Sequence, residues 1–306
     1  MRVLFLGNHT VGVRALRVIH REAALVGVVA HPDDPEDGVC YESVFAEATR
    51  AGVSVLRATG KSPELEAFVR AAAPDLLWIT DYRYLLPGRL LTLPELGTVN
   101  LHPSLLPKYR GRAPINWAII HGETQLGLTA HFVDEGMDSG DIIAQRAFTL
   151  GEMQDVGDAL NRLYPIYEAL TVEVLSAFKL GIVGRRKQDA AMATVFPRRT
   201  PADGLIDWSR PARDVRNLIR AVARPYPGAY TQWRERTLRI WQAGRVQAFA
   251  AGVVPRSGEV LGVSTDGRNI TVACSDEALV ITCLESDNTD TLAPRIGDVL
   301  SPFVQV

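Results

Sequence analysis

The sequence predicts an α/β chain, with a mostly parallel sheet flanked by helices and then a small β-barrel. Three observations carry this reading. Short apolar runs of β type alternate with helically spaced stretches through the first two-thirds of the chain. The texture turns polar and turn-rich between Gly184 and Asp207, as a linker crossing between domains does. Beyond it, strand-like runs recur between turns. With 306 residues, 47% apolar and 22% charged, the chain can bury one large core and a smaller second one. The expected domains are 1–200 and 201–306.

Taken in order, Arg2 to Gly7 reads as a strand stopped by Gly7-Asn8, and Val11 to Glu22 as a helix. Leu25 to Ala30, Val53 to Leu56 and Leu76 to Thr80 read as further strands, with a helix over Leu65 to Ala73. Such alternation builds a parallel sheet covered on both faces. Ala113 to His121 is expected to be helical, Gly127 to Val133 and Ile142 to Leu150 to be strands, and Val156 to Leu180 to be one long helix kinked at Pro165. After the linker, Arg213 to Ala223 reads as a helix. The runs at Gly228 to Trp233, Leu238 to Trp241, Gly258 to Val263, Asn269 to Ala273 and Ala278 to Cys283 then supply a small barrel.

Charge and cysteine usage narrow the function classes. A formal charge of −2 and a pI near 6.3 give no whole-molecule field for a phosphate backbone, so nucleic acid is not favoured as a partner. Cys40, Cys274 and Cys283 lack metal-ligand spacing, and their odd number argues against a disulfide framework. The opening run MRVLFLG is short for an export signal, and no run approaches a membrane span. A cytoplasmic protein is the expectation. Gly7 to Gly12 is not GxGxxG and no GxxxxGK[ST] occurs, so neither NAD nor ATP is supported.

In an open α/β sheet, ligands gather beyond the carboxyl ends of the strands, which directs attention to the segments after Thr80 and Val99. Asn100 and His102 are two apart at a strand end, where both can face one side. Such a pair by itself is also what a turn cap beside a structural histidine looks like. Val133 to Asp141 (VDEGMDSGD) is an acidic loop whose glycines allow a tight path, and a carboxylate there could meet His102. Read otherwise, it is a solvated hairpin or a calcium loop. Its spacing lacks the ligand ladder and terminal glutamate of an EF-hand, and no metal is expected.

These residues carry a resemblance. Asn100-Leu-His-Pro-Ser-Leu-Leu-Pro followed by Tyr109-Arg110-Gly111, with Asp138-Ser-Gly-Asp141 downstream, is similar to the formyltransferase family that uses 10-formyltetrahydrofolate. The likeness spans nearly the whole chain. It implies a Rossmann-like catalytic domain, an OB-like C-terminal domain and Asn100, His102 and Asp138 as the catalytic trio. It also implies a folate site built from Tyr82, Leu85, Leu86, Asp134, Gly136 and Asp138, with the pterin against backbone groups near Leu86. Leu85 and Leu86 read equally well as ordinary core.

Phe196-Pro-Arg-Arg-Thr-Pro and Ala221-Val-Ala-Arg-Pro-Tyr-Pro-Gly-Ala resemble the amino-sugar branch, above all the formyltransferase domain that formylates UDP-4-amino-4-deoxy-L-arabinose. That resemblance implies a nucleotide-linked amino sugar as the small-molecule partner, with Tyr109 and Arg110 among the substrate-binding residues. Arg198 and Arg199, at the expected domain junction, could bind its diphosphate or base through the guanidinium fork, and read equally well as caps or salt-bridge partners. His31 to Gly38 carries four carboxylates where the tRNA enzymes of the family are basic, which disfavours tRNA. The alternatives are methionyl-tRNA, another small amine of natural-product or siderophore assembly, water as acceptor in a formyltetrahydrofolate hydrolase, and a non-catalytic sensor.

Overall fold

In the computed structural model, residues 1–32, 41–60, 62–252, 254–287 and 293–301 are described. The chain divides into two compact units. The first comprises Met1–Pro114, Gln125–Thr149 and Leu160–Pro197; the second comprises Ile115–Thr124, Leu150–Ala159 and Arg198–Val306.

The first half of the chain runs β1 (Arg2–Gly7), α1 (His9–Glu22), β2 (Ala24–Ala30), α2 (Val44–Arg50), β3 (Val55–Arg57), α3 (Pro63–Ala72), β4 (Leu76–Thr80), α4 (Gly88–Leu91) and β5 (Thr98–His102). It continues through β6 (Arg110–Gly111), α5 (Pro114–Ile120), β7 (Gln125–Phe132), β8 (Ile142–Thr149), α6 (Val156–Leu180) and β9 (Val195–Phe196). The main sheet has the order β3-β2-β1-β4-β5-β7-β8. β3 through β5 are parallel, and β7 and β8 are antiparallel additions on the β5 side.

Burial explains why these segments form strands. Every residue of β4 is buried, as a central strand covered on both faces requires. Truncating Leu77, which is fully buried, to alanine would cost about 2–5 kcal/mol through lost transfer energy and the cavity left behind. Polarity returns only at Thr80, whose hydroxyl accepts the Trp78 indole N–H at 3.1 Å. α1 buries Gly12, Val13, Ala15, Leu16, Val18 and Ile19, a stripe at helical spacing. α3 starts where the Ser62 hydroxyl accepts from the Leu65 N–H and Pro63 occupies the first turn. α2 is a helix the sequence reading did not anticipate; Ser43 caps it, and its seven residues bury only Val44 and Ala48.

The second unit holds α7 (Ala212–Ala221) and the strands β10 (Ala229–Trp233), β11 (Arg236–Gln247), β12 (Val260–Val263), β13 (Ile270–Ala273) and β14 (Ala278–Ser286). The strands form an antiparallel sheet of order β10-β11-β14-β13-β12. Val299 to Ser301 bridges to Glu259 beside β12 and to Gln232 on β10, the two edges of that sheet. Two earlier segments join this unit although they precede residue 200. Asn116 donates to the Ala221 carbonyl at 2.7 Å, and Arg220 donates to the Gln154 and Gly151 carbonyls at 2.6 and 2.9 Å. Among the described residues no helix is long and apolar enough to cross a membrane.

The expected linker from Gly184 to Asp207 resolves differently. Through Pro197 it belongs to the first unit, and it pairs there: Arg186 bridges Ile142, and β9 pairs in parallel with β6. Polar, turn-rich composition reported a segment with little regular structure, not one without partners.

Candidate active site

β5 ends the parallel part of the sheet and delivers Asn100 and His102 at its carboxyl end. The antiparallel register then sets Asn100 opposite His131 of β7. Between β7 and β8 the loop turns back on itself and carries Asp138 with φ of 50°, a left-handed conformation that Asp tolerates better than most residues. Gly140 permits the turn, because a Cβ there would overlap the Phe132 carbonyl.

The structure brings the expected trio together. The Asp138 carboxylate lies 3.6 Å from His102 Nδ1 through Oδ2 and 3.6 Å from His131 Nε2 through Oδ1. It accepts the Gly111 N–H at 2.8 Å and lies 3.5 Å from the Asn100 amide nitrogen. Gly111 has φ of 93°, and a Cβ there would overlap the Phe196 carbonyl, so β6 can present this N–H only with glycine at that position.

The hydrogen bonds assign the tautomers. His102 Nε2 lies 2.8 Å from the Tyr109 carbonyl, which can only accept, so Nε2 carries the proton and Nδ1 of the neutral ring is bare. By the same logic His131 Nδ1 donates to the Phe132 carbonyl at 2.7 Å, leaving Nε2 to accept from the Asn100 amide at 3.2 Å. Asn100 therefore commits one N–H to His131. Its second is held only loosely, at 3.5 Å from Asp138.

Burial pushes the His102 imidazole below its ordinary value, against the pull of Asp138. Burial also acts to raise the Asp138 carboxyl, but His102, His131 and the Gly111 N–H outweigh it and hold the group well below the usual carboxylate range. At neutral pH the site thus holds a neutral imidazole beside an ionised carboxylate. Both shifts have the same sign consequence. Each group binds a proton less readily folded than unfolded, so the stability it contributes is lost as pH falls. The acid limb of kcat/KM should therefore have its midpoint below about 6.5, the ordinary histidine value. A limb at or above that value in a pH-rate profile would show that His102 is not the titrating base.

Other expected residues are placed less uniformly. Tyr82 is a core residue: it packs with Leu4, Leu6, Val29 and Leu90 and donates its hydroxyl to the Ala58 carbonyl at 2.8 Å. Leu86 packs against that same core, whereas Leu85 is 75% exposed. Asp134 accepts from the Gly136 N–H at 3.1 Å and the Ser139 hydroxyl at 2.7 Å, which shapes the loop. A Cβ at Gly136 would overlap that hydroxyl. A Cβ at Gly88 would meet the Glu135 carboxylate and one at Gly111 the Met137 sulfur, so the loops after β4 and β7 border the same end of the sheet. Exposed Leu85 and Met137 on these loops offer apolar surface suited to a flat ring.

Of the residues expected to bind the acceptor, Tyr109 is buried, stacks on Phe196 with 5.2 Å between ring centroids, and serves His102 through its carbonyl. Arg110 directs its guanidinium to the Gln188 carbonyl oxygen. Both side chains are spent on the scaffold. Arg198 and Arg199 belong to the second unit. Arg199 lies over the Trp117 ring at 5.0 Å and donates to the Asp203 carbonyl at 2.8 Å, and Arg198 is exposed. The acidic run after His31 falls on residues 33–40, outside the described residues. Among the described residues no cluster of His, Cys, Asp and Glu is arranged to hold a metal ion.

Sequence reasoning missed His131, the Gly111 N–H and Gln188. His131 had a faint signal as the lone histidine of a largely apolar strand, but its partner is set by pairing register alone.

Comparison with known proteins identifies the family of the chain. The family profile described as "Formyl transferase" matches residues 1–175, and "Formyl transferase, C-terminal domain" matches residues 198–295. A methionyl-tRNA formyltransferase of Citrifermentans bemidjiense is 34% identical over 308 residues, covering 99% of this chain and 94% of that protein. A second, from Caldanaerobacter subterraneus, is 35% identical over 301 residues, covering 96% and 95%. The N-formyltransferase of Helicobacter canadensis, solved with folinic acid and dTDP-3-aminofucose, superposes with a TM-score of 0.68 at 17% identity, covering 92% of this chain and 99% of that one. That likeness is one of fold. The expectation that nucleic acid is disfavoured as a partner finds no support among the sequence relatives, since a net charge averages over the surface and does not report on a local patch. With both domain profiles matched and relatives aligned along almost its full length, the chain belongs to the formyl transferase family of folate-dependent N-formyltransferases.

Proposed function

We propose that the chain transfers the formyl group of 10-formyltetrahydrofolate to a primary amine, with Asn100, His102 and Asp138 as its catalytic residues. The observation that carries this is the bare Nδ1 of His102, held neutral and facing an ionised Asp138 beside an amide N–H with little else to bond. The carrier supplies an activated one-carbon unit, so no covalent protein nucleophile is needed. Attack by the neutral amine puts negative charge on the formyl oxygen and positive charge on the amine nitrogen. The second N–H of Asn100 is available to that oxyanion, and one such donor is worth about 3–4 kcal/mol. His102 Nδ1 takes the amine proton, and as the tetrahedral intermediate collapses the bond from the formyl carbon to the folate nitrogen breaks and that nitrogen leaves protonated, as tetrahydrofolate. The imidazolium so formed is stabilised by the Asp138 carboxylate at 3.6 Å. At an effective dielectric of about 20 that attraction is on the order of 5 kcal/mol.

For the acceptor, the relatives favour the amino group of methionyl-tRNA, because proteins of that name are 34–35% identical along 96–99% of the chain. A nucleotide-linked amino sugar is the second reading, and it rests on particular residues. The segments around Phe196 to Pro201 and Ala221 to Ala229 have the amino-sugar pattern, and the four carboxylates between Asp33 and Asp37 would repel a phosphate backbone.

Incubation with 10-formyltetrahydrofolate and either methionyl-tRNA or a panel of UDP- and dTDP-linked amino sugars separates these readings, with tetrahydrofolate release and product mass as readouts. Turnover with methionyl-tRNA alone is the outcome expected from the relatives. Turnover with a sugar alone would replace that reading by the second, and tetrahydrofolate release without any amine would make the protein a hydrolase.

A further inference from the structure

Gln188 stands outside the trio, yet its amide makes four hydrogen bonds at the site. Its Nε2 donates to the carbonyls of Asp138 and Gly140, both at 2.8 Å. Its Oε1 accepts from Arg110 Nε at 3.1 Å and Nη2 at 2.7 Å. Both N–H groups and both lone pairs of the amide are thereby used. The orientation is not arbitrary: a guanidinium can only donate and a carbonyl can only accept, so a flipped amide would face four like partners.

We propose that Gln188, clamped by Arg110, is a positioning residue for Asp138, and that this pair holds the carboxylate at its working distance from His102 Nδ1. The two carbonyls it binds flank the turn at Ser139, and Asp138 itself sits at a φ of 50°, a conformation that costs any residue with a side chain some strain and that bonds from outside the loop help to hold. Inside the loop, Asp134 braces the Gly136 and Ser139 side of the turn. Gln188 is the brace from outside it. The same stretch of chain also fixes the other end of the His102 ring. The Thr194 hydroxyl accepts the Tyr109 N–H at 2.8 Å, and Phe196 stacks on the Tyr109 ring, whose residue supplies the carbonyl that accepts from Nε2. Residues 186–196 therefore set both the tautomer of His102 and the position of its counter-charge.

The test is Gln188→Leu in the full chain, with folding checked by circular dichroism. A displacement of about 1 Å at the reacting groups can cost 100-fold, so kcat should fall about 10- to 100-fold while KM for the formyl donor changes little. The groups that face His102 are Asp138, His131 and the Tyr109 carbonyl. As Asp138 withdraws, the ring loses its counter-charge and the acid limb of the rate profile should move to lower pH. A merely structural role would lower stability without moving that limb. In the Asp138→Asn background, Gln188→Leu should cost no more than about twofold further, since it acts through a carboxylate already removed. Gln188→Glu keeps the Arg110 pair and the side-chain volume but sets oxygens against two carbonyls. It should show the same shift, and it serves if the leucine variant does not fold. An unmoved acid limb with wild-type kcat in a folded variant, or a loss that multiplies in full onto that of Asp138→Asn, overturns the proposal.

Discussion

Replacing His102 by asparagine is expected to lower kcat by about 10²- to 10⁴-fold, the usual worth of a positioned general base. The side chain is buried, with its Nε2 tied to the Tyr109 carbonyl, so the substitution removes the bare Nδ1 and nothing else near Asp138 replaces it. His131 is the one other imidazole facing the carboxylate among the described residues. Its bonds to the Phe132 carbonyl and the Asn100 amide occupy both ring nitrogens. The asparagine amide reaches only as far as Nδ1 did, so the bond to the Tyr109 carbonyl is lost and folding is checked by circular dichroism, while binding of the formyl donor should change little. Steady-state kinetics with the donor varied give the result directly. A variant retaining kcat within about threefold of wild type would exclude His102 from proton transfer.

The second large effect is expected at Asp138. Asn is the conservative replacement because it tolerates the left-handed backbone at this position. It leaves the acceptor for the Gly111 N–H but cancels the charge facing both histidines. The lost attraction, on the order of 5 kcal/mol at 3.6 Å, is felt only once the imidazolium forms, so it falls on the transition state rather than on binding. Water filling the site offsets part of it, and a loss of about 10²- to 10³-fold in kcat is expected. The acid limb should also move to lower pH, because burial would then depress His102 without its counter-charge. If Asp138→Asn lost kcat but left the acid limb unmoved, the carboxylate would be orienting the ring without affecting its charge.

Much of this was legible before the fold. β1, β4 and α6 match the runs at Arg2 to Gly7, Leu76 to Thr80 and Val156 to Leu180, because continuous burial and helical spacing are local properties of composition. The antiparallel sheet of the second unit was legible from turn spacing. Functions assigned to side chains by position in a motif fared less evenly. Arg110 and Tyr109 sit in the most recognisable stretch of the chain, yet their side chains serve Gln188 and Phe196. The stretch that composition marked as a linker braces the site.

By itself the sequence determined the element types, the glycines that allow the Asp138 turn, and the residues at the end of β5. These depend on near neighbours in the chain and on intrinsic backbone preference. Only the tertiary structure decided that Nδ1 rather than Nε2 of His102 faces Asp138, that His131 lies against Asn100, and that Gln188 reaches across 50 residues to the Asp138 carbonyl. The physical reason is that hydrogen-bond direction and strand register couple groups far apart in sequence. A ring nitrogen becomes a base only when some distant carbonyl takes the proton of the other.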